Sequence, residues 1–223
     1  SSSFSVGLLN AFYTMQGITK TKRELADDAI YLERTLCCED GGIQDQIACA
    51  FGGFNRIDFS KNGYAVTPIA FSDNKKEQLN DNLMLFFTGL SRFSFQVQKT
   101  TKQMLKPKEK NLLKILDMVD EAEKILTDAE RSLDDFGLLL NETWQQKKSI
   151  SDEISTDYIN LAYKKAIDAG ALGGKLLGAG GGGCLLFYVR KNKQDSVRNA
   201  LNDLLEIKFK FENYKGGNIL WQN

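Results

Sequence analysis

Apolar positions change their spacing several times along the chain, and each change predicts an element. Phe4, Val6, Leu8, Leu9, Phe12 and Tyr13 recur at mixed helical spacings before Gly17, which predicts a buried helix over Phe4–Met15 entered through serines. "TKRE" at Thr21–Glu24 has capping-box form, and Leu25, Ala29, Ile30, Leu32 and Leu36 carry a second helix toward Cys38, where "EDGG" ends it. After "IQDQIACAFGG", two short runs, "FNRIDF" and "YAVTPIAF", flank "SKNG" and predict a hairpin. "NLMLFFTGL", Asn82–Leu90, is a continuous apolar run of the kind expected for a strand buried on both faces.

Helical patterns follow over Arg92–Lys106, Glu109–Glu130, Arg131–Lys148 and Thr156–Ala169, the last closed by Gly170. Then come the strand-like "GGKLL", a glycine loop, "CLLFYV", a polar helix over Lys193–Leu205 and a closing strand "KFKFENY". The order strand, helices, strand, loop, strand, helix, strand is the split β-α-β plan of a ferredoxin-like domain with an expanded first crossover. The charged stretch "SDNKKEQLN" lacks apolar periodicity and is expected to separate this half from the first. The fold class is therefore α+β.

Composition narrows the chemistry. Lys+Arg and Asp+Glu are both 29, so no net field holds nucleic acid or an anionic membrane, and an anionic ligand must be held by local geometry. With His 0, mechanisms that need an imidazole base or metal ligand are excluded. Cys37, Cys38, Cys49 and Cys184 match neither a zinc spacing nor a disulfide framework and are expected as reduced thiols. No apolar run reaches membrane-spanning length, so a cytoplasmic protein is expected.

Three segments could carry chemistry. Gly178, Ala179, Gly180, Gly181, Gly182 and Gly183 form either a flexible hairpin tip or a nest of backbone N–H groups that approaches an anion. Six small residues exceed what turning needs, which favours the second. Ser1, Ser2 and Ser3 are either helix caps or, beside unsatisfied N–H groups at the positive end of the dipole, a phosphate and Mg²⁺ site. Asp45, between Gln44 and Gln46, is either an acid favourably placed near a helix amino end or a carboxylate able to take or orient the proton of an attacking hydroxyl.

Together, "SSSFSVGLLNA", "GGIQDQIACAFGGFN" and "GGKLLGAGGGGCLLFY" resemble the second motif, the catalytic-aspartate segment and the third motif of the GHMP small-molecule kinases. Within that family, "LFFTGLSRFS" is similar to the "FYTGxxRxS" strand end of bacterial D-glycero-D-manno-heptose 7-phosphate kinases. The correspondence runs from Ser1 to about Tyr214. Cys184 stands where the family often has a larger residue.

The resemblance implies a two-domain GHMP kinase-like fold: the remainder of the amino-terminal ATP-binding domain over residues 1–76, and the carboxyl-terminal domain, ferredoxin-like, over 77–223. It implies Asp45 as catalytic residue, and Ser1, Ser2, Ser3 and Gly178–Gly183 on the ATP phosphates, with Ser1 as the Mg²⁺ ligand. Thr88, Gly89 and Arg92 are implied to hold the acceptor, with a plain surface or interdomain arginine the alternative for Arg92. The expected ligands are ATP, Mg²⁺ and a small-molecule sugar phosphate, with no nucleic-acid or membrane partner and with homodimer formation left open. The family's first motif, and the proline and "GLG" run ahead of its serines, fall upstream of Ser1. The chain is accordingly expected to lack the amino-terminal part of the fold, and this span alone is expected to fold poorly or to be inactive. Two alternatives stay open: a non-catalytic remnant or binding subunit of the same fold, and a kinase for another sugar such as fucose or galactose.

Overall fold

A computed structural model describes residues 2–90, 108–211, 216 and 217. They form two compact units, residues 2–69 with Phe211, Gly216 and Gly217, and residues 70–90 with 108–210. In the first unit α1 (Ser2–Met15), α2 (Lys22–Tyr31) and α3 (Gln44–Phe51) pack together beside an antiparallel hairpin, β1 (Asn55–Ser60) and β2 (Gly63–Pro68). Its core is Val6, Leu25, Ala26, Ala29, Ile47, Ala50 and Tyr64, and the alanines let α2 and α3 approach closely. The capping box forms as its sequence requires: Glu24 N–H donates to Thr21 Oγ1 at 3.2 Å, and Thr21 N–H donates to Glu24 Oε2 at 2.8 Å. Gly216 lies so near α3 that a Cβ there would meet the Ala50 carbonyl oxygen at 2.4 Å, which keeps the return of the chain to this unit glycine-specific.

The helix expected over Phe4–Met15 forms over Ser2–Met15 and buries one face. Its buried stripe is Ser2 and Val6, continued by the partly buried Leu9 and Tyr13, whereas Phe4 and Phe12 are 72% and 52% exposed. Apolar residues lie on both faces of this helix, so periodicity cannot say which face the core takes. The face taken starts at a serine.

The second unit is built on a four-stranded antiparallel sheet of order β4-β5-β3-β6, from β3 (Leu83–Phe87), β4 (Gly173–Leu176), β5 (Cys184–Tyr188) and β6 (Leu205–Ile207). In chain order its strands therefore lie 2-3-1-4, the ferredoxin-like arrangement. Between β3 and β4 come α5 (Glu109–Thr127), α6 (Leu133–Lys148) and α7 (Asp157–Asp168), and α8 (Gln194–Ala200) joins β5 to β6. Met84, Phe86, Leu176, Leu185 and Phe187 point from the sheet into a core closed by Trp144, Ile159, Tyr163 and Val197.

Four expectations change here. The charged stretch over 72–80 is helical, α4 (Asp73–Asn82). Ser72 Oγ caps it by accepting from Lys75 N–H at 3.3 Å, Leu79 is fully buried, and Lys75 Nζ donates to the carbonyl oxygens of Ile125 at 2.8 Å and of Asp128, at the end of α5. A single buried leucine in ten residues is too weak a pattern to announce a helix. The β3 strand is buried on one face only, with Met84 and Phe86 inside and Phe87 39% exposed, because its sheet is antiparallel and packs helices on one side. The last helix stops at Ala200, and the last strand is Leu205–Ile207 rather than "KFKFENY". Beyond Ile207 the chain leaves the ladder, and Phe211 stacks on Phe54 in the first unit, ring centroids 5.6 Å apart. The helix expected over Arg92–Lys106 lies outside the described residues.

Candidate functional site

In the first unit the site is assembled by a departure from helical geometry. At the end of α2 the chain widens into a π-helical turn over Leu32–Leu36, in which Cys37 N–H reaches the Leu32 carbonyl at 2.9 Å. Such a turn rotates side chains away from the face that α-helical periodicity assigns them. Glu33, which reads as a surface acid in the sequence, is buried at 3% exposure. Ser2 Oγ donates to Glu33 Oε2 at 3.0 Å, and the side-chain amide of the fully buried Gln46 donates to the same oxygen. Three elements, α1, the π-turn and α3, thus converge on one carboxylate.

Neighbouring Arg34 fixes the entry to α3. Its Nη1 donates to the carbonyls of Glu39 at 3.1 Å and Asp40 at 3.0 Å, its Nη2 donates to that of Gly42 at 2.5 Å, and Nη2 stands 4.0 Å from Glu33 Oε2. The loop "EDGG" is thereby held so that α3 starts at Gln44 with Asp45 in its first turn, exposed to solvent while Gln46 turns inward. Cys49 follows Asp45 by one helical turn, and burial, then the Asp45 carboxylate, push its thiol above the ordinary range.

The residues around Glu33 fit a hard cation. Glu33 Oε1 is buried with no hydrogen-bond partner, a costly state for a carboxylate oxygen unless a cation or proton answers it. Among the described residues no three His, Cys, Asp or Glu side chains gather into a metal cage. Mg²⁺ needs none, because it keeps waters and takes phosphate oxygens beside one or two protein oxygens. Ser1 lies outside the described residues, Ser3 is exposed, and Ser2 is the serine that meets the carboxylate.

The glycine loop joins β4 to β5 in the second unit. Gly178, Gly180, Gly181 and Gly183 have φ of 80°, 121°, 73° and 109°, the region that favours glycine. Much of its bare backbone meets other backbone. Gly181 N–H donates to the Ile154 carbonyl at 3.0 Å, Gly183 N–H donates to that of Leu90 at 3.1 Å, and a Cβ on Gly182 would stand 2.5 Å from the Leu90 oxygen. Gly178 differs. A Cβ there would touch nothing within 4 Å, and its carbonyl accepts from Lys147 Nζ at 2.8 Å. Thr88 is buried, its hydroxyl donating to the Gly183 carbonyl at 2.8 Å and accepting from Leu90 N–H at 3.3 Å, so it ties the end of β3 to the glycine loop. Gly89 turns the chain at φ 70°, and Arg92 lies outside the described residues.

With a serine-led helix, an exposed aspartate on α3 and a glycine loop in a ferredoxin-like sheet, similarity to known proteins becomes decisive. The family model for the GHMP kinases N terminal domain matches residues 1–53, and that for GHMP kinases C terminal matches residues 118–207. The chain belongs to the GHMP kinase family. A D-glycero-alpha-D-manno-heptose 7-phosphate kinase of Campylobacter jejuni is 34% identical over 205 residues, which cover 90% of this chain and 60% of the relative. The crystal structure of a D-glycero-D-manno-heptose 1-phosphate kinase from Bacteroides thetaiotaomicron superposes at TM-score 0.63 with 26% identity, over 96% of this chain and 60% of that one. The mevalonate kinase of Methanococcus jannaschii shares the fold at TM-score 0.72 and 20% identity, over 93% of this chain and 62% of that one. The chain thus spans 60% of the length of its heptose kinase relative. Among the described residues, no helix of this GHMP kinase is long and apolar enough to cross a membrane.

Glu33 is the site residue that sequence reasoning passes over. Its only signal is position, an acid preceding "RTLCCEDGG" that no helical or strand period marks for burial.

Proposed function

We propose that this GHMP kinase transfers the γ-phosphoryl group of ATP to the anomeric hydroxyl of D-glycero-D-manno-heptose 7-phosphate. The observation that carries the proposal is Asp45, an exposed carboxylate in the first turn of α3, in a chain without histidine that is 34% identical to a heptose 7-phosphate kinase. The acceptor oxygen forms a bond to the γ-phosphorus as the bond from that phosphorus to the β–γ bridging oxygen breaks. ADP leaves with that electron pair, and the acceptor proton passes to Asp45 or is oriented by it.

The remaining residues hold rather than react. Glu33 and Ser2 would hold Mg²⁺, which when bound neutralises charge on the β- and γ-phosphate oxygens. Gln46 and Ser2 fix the carboxylate that would do so, and Arg34 fixes the loop that aims α3. Residues 178–183 offer backbone to phosphate oxygens where it is not already packed on Leu90 and Ile154, and Thr88 holds that loop to the end of β3.

The test is a steady-state assay of the intact gene product with ATP and a panel of heptose 7-phosphate, fucose, galactose and mevalonate. The proposal expects kcat/KM for the heptose phosphate to exceed the others by orders of magnitude. Equal or higher kcat/KM for another acceptor overturns the substrate assignment.

A further inference from the structure

The second unit contains a pocket of about 710 Å³ that none of the candidate site residues above lines, set between α6, the connection over 149–155 and α7. Small-molecule sites span roughly 300–1,000 Å³, so it is large enough for a phosphorylated sugar. Its walls are polar and apolar in about equal measure, and the polar groups are partly fixed by their own bonds. The Tyr163 hydroxyl donates to Asn141 Oδ1 at 2.9 Å, and Gln145 Nε2 donates to the same oxygen at 3.2 Å. Asn141 and Gln145 both line the pocket. Ser155 Oγ donates to Asn160 Oδ1 at 3.0 Å, and both residues line the pocket. Side-chain amides and hydroxyls in this number suit a partner that is itself rich in hydroxyl groups.

One wall group asks for more than a hydroxyl. Lys148 Nζ lies 5.7 Å from the Trp144 ring centroid and 5.8 Å from that of Tyr163, and among the described residues no carboxylate pairs with it. Burial pushes its pKa down, so its charge is poorly solvated. The other charged groups on the pocket are already placed: Lys164 is bound to Asp168 at 2.5 Å, and Asp152 and Asp157 are exposed in the first turns of their helices, where they can accept from hydroxyls. We infer that this pocket binds a phosphorylated polyol, with the phosphate on Lys148 and the hydroxyls on Asn141, Gln145 and Asn160. The ligand has two possible sources. It is the acceptor itself, held by the phosphate that is not transferred, or a separate sugar phosphate acting as an effector. The pocket's binding of a sugar phosphate stands on the pocket alone, and only the acceptor source rests on the proposed function.

The test reads Trp144 directly. Trp is present at two positions, so a Trp221→Phe background leaves Trp144 as the emitter. In the absence of nucleotide, heptose 7-phosphate and mannose 6-phosphate are titrated against the tryptophan emission, with the unphosphorylated sugars alongside. A saturable change is expected for at least one sugar phosphate. Lys148→Met, which keeps the apolar stem on the rings, should weaken it about tenfold or more. Lys148→Arg should retain most of the binding, and Gln145→Leu, an exposed site on α6 that leaves the fold intact, should weaken it also. If Lys148→Met raises the acceptor KM in parallel, the ligand is the acceptor; if binding is lost while that KM holds, it is an effector, and either result supports the pocket. Absence of saturable binding, equal binding of the unphosphorylated sugar, or unchanged affinity in both Lys148→Met and Gln145→Leu would overturn it. Binding that persists in a protein with no kinase activity would sink the proposed function and leave this pocket standing.

Discussion

The hydroxyl of Ser2 donates to Oε2 of Glu33 at 3.0 Å, joining the first turn of α1 to the π-turn that ends α2 across 31 residues of sequence. Both side chains are buried, and the second oxygen of Glu33 has no partner. On the proposed function, this pair would hold Mg²⁺.

If Glu33 holds Mg²⁺, Glu33→Gln keeps the size and the contact with Ser2 but removes the charge. The Mg²⁺ concentration for half-maximal rate should then rise at least about tenfold, comparable with losses on disturbing metal sites elsewhere. Titration of activity with Mg²⁺ at saturating ATP measures it, with a cooperative thermal melt as the control for folding. An unchanged Mg²⁺ requirement would take Glu33 out of the site.

Asp45 is exposed, so its replacement should leave packing alone. Asp45→Asn is expected to keep the melting temperature and nucleotide affinity and to lower kcat by about two to four orders of magnitude. Turnover near wild type would show that another group handles the acceptor proton.

The glycines of the loop should differ in what they tolerate. Gly178→Ala places its Cβ in open space and has only the φ of 80° against it, a cost of about 1 kcal/mol. Gly182→Ala drives a Cβ into the Leu90 carbonyl at 2.5 Å and must displace the loop. Thermal unfolding and the KM for ATP of the two variants should therefore separate, with Gly182→Ala the worse in both. Equal effects would mean that the loop relaxes freely and that its packing on Leu90 constrains nothing.

How far the sequence could be read follows from what each feature leaves in local order. Asp45 and the run 178–183 stand in contiguous segments whose composition is itself unusual, so both are visible without coordinates. The ferredoxin-like order survives too, because β3, β4 and β5 each fall on a run read as a strand, whereas β6 falls on Leu205–Ile207 ahead of the run read for it. Glu33 is hidden because a π-turn, not a sequence period, turns it inward. The helix α4 is hidden because a serine cap and one leucine define it, and the buried face of α1 because its other face is equally apolar. The pocket at Lys148 is hidden for a further reason, since its walls come from two helices and a connection that only tertiary packing brings together.

Burial pushes the phenols of Tyr163 and Tyr188 up to about 12. The folded protein keeps these protons over a range where the unfolded chain, titrating near 10, has lost them, so unfolding releases protons and stability must fall as pH rises from about 10 to about 12. Below the unfolded value the contribution is whole. Melting temperatures taken at intervals from neutral pH into this range should show the decline, and Tyr163→Phe should lessen it, leaving the part due to Tyr188 and to Tyr64, which burial also pushes up to about 12. A flat profile in the wild type would contradict the burial of these hydroxyls.

The most direct measurement of the central claim is the position of the transferred phosphate. The intact gene product is incubated with ATP, Mg²⁺ and D-glycero-D-manno-heptose 7-phosphate, and the product is examined by ³¹P NMR and mass spectrometry, beside the Asp45→Asn variant. The expected result is a heptose bisphosphate whose new phosphate is on the anomeric carbon, formed together with ADP and nearly absent with Asp45→Asn. A folded, nucleotide-binding protein that yields no bisphosphate, or one that phosphorylates a different hydroxyl, would contradict it.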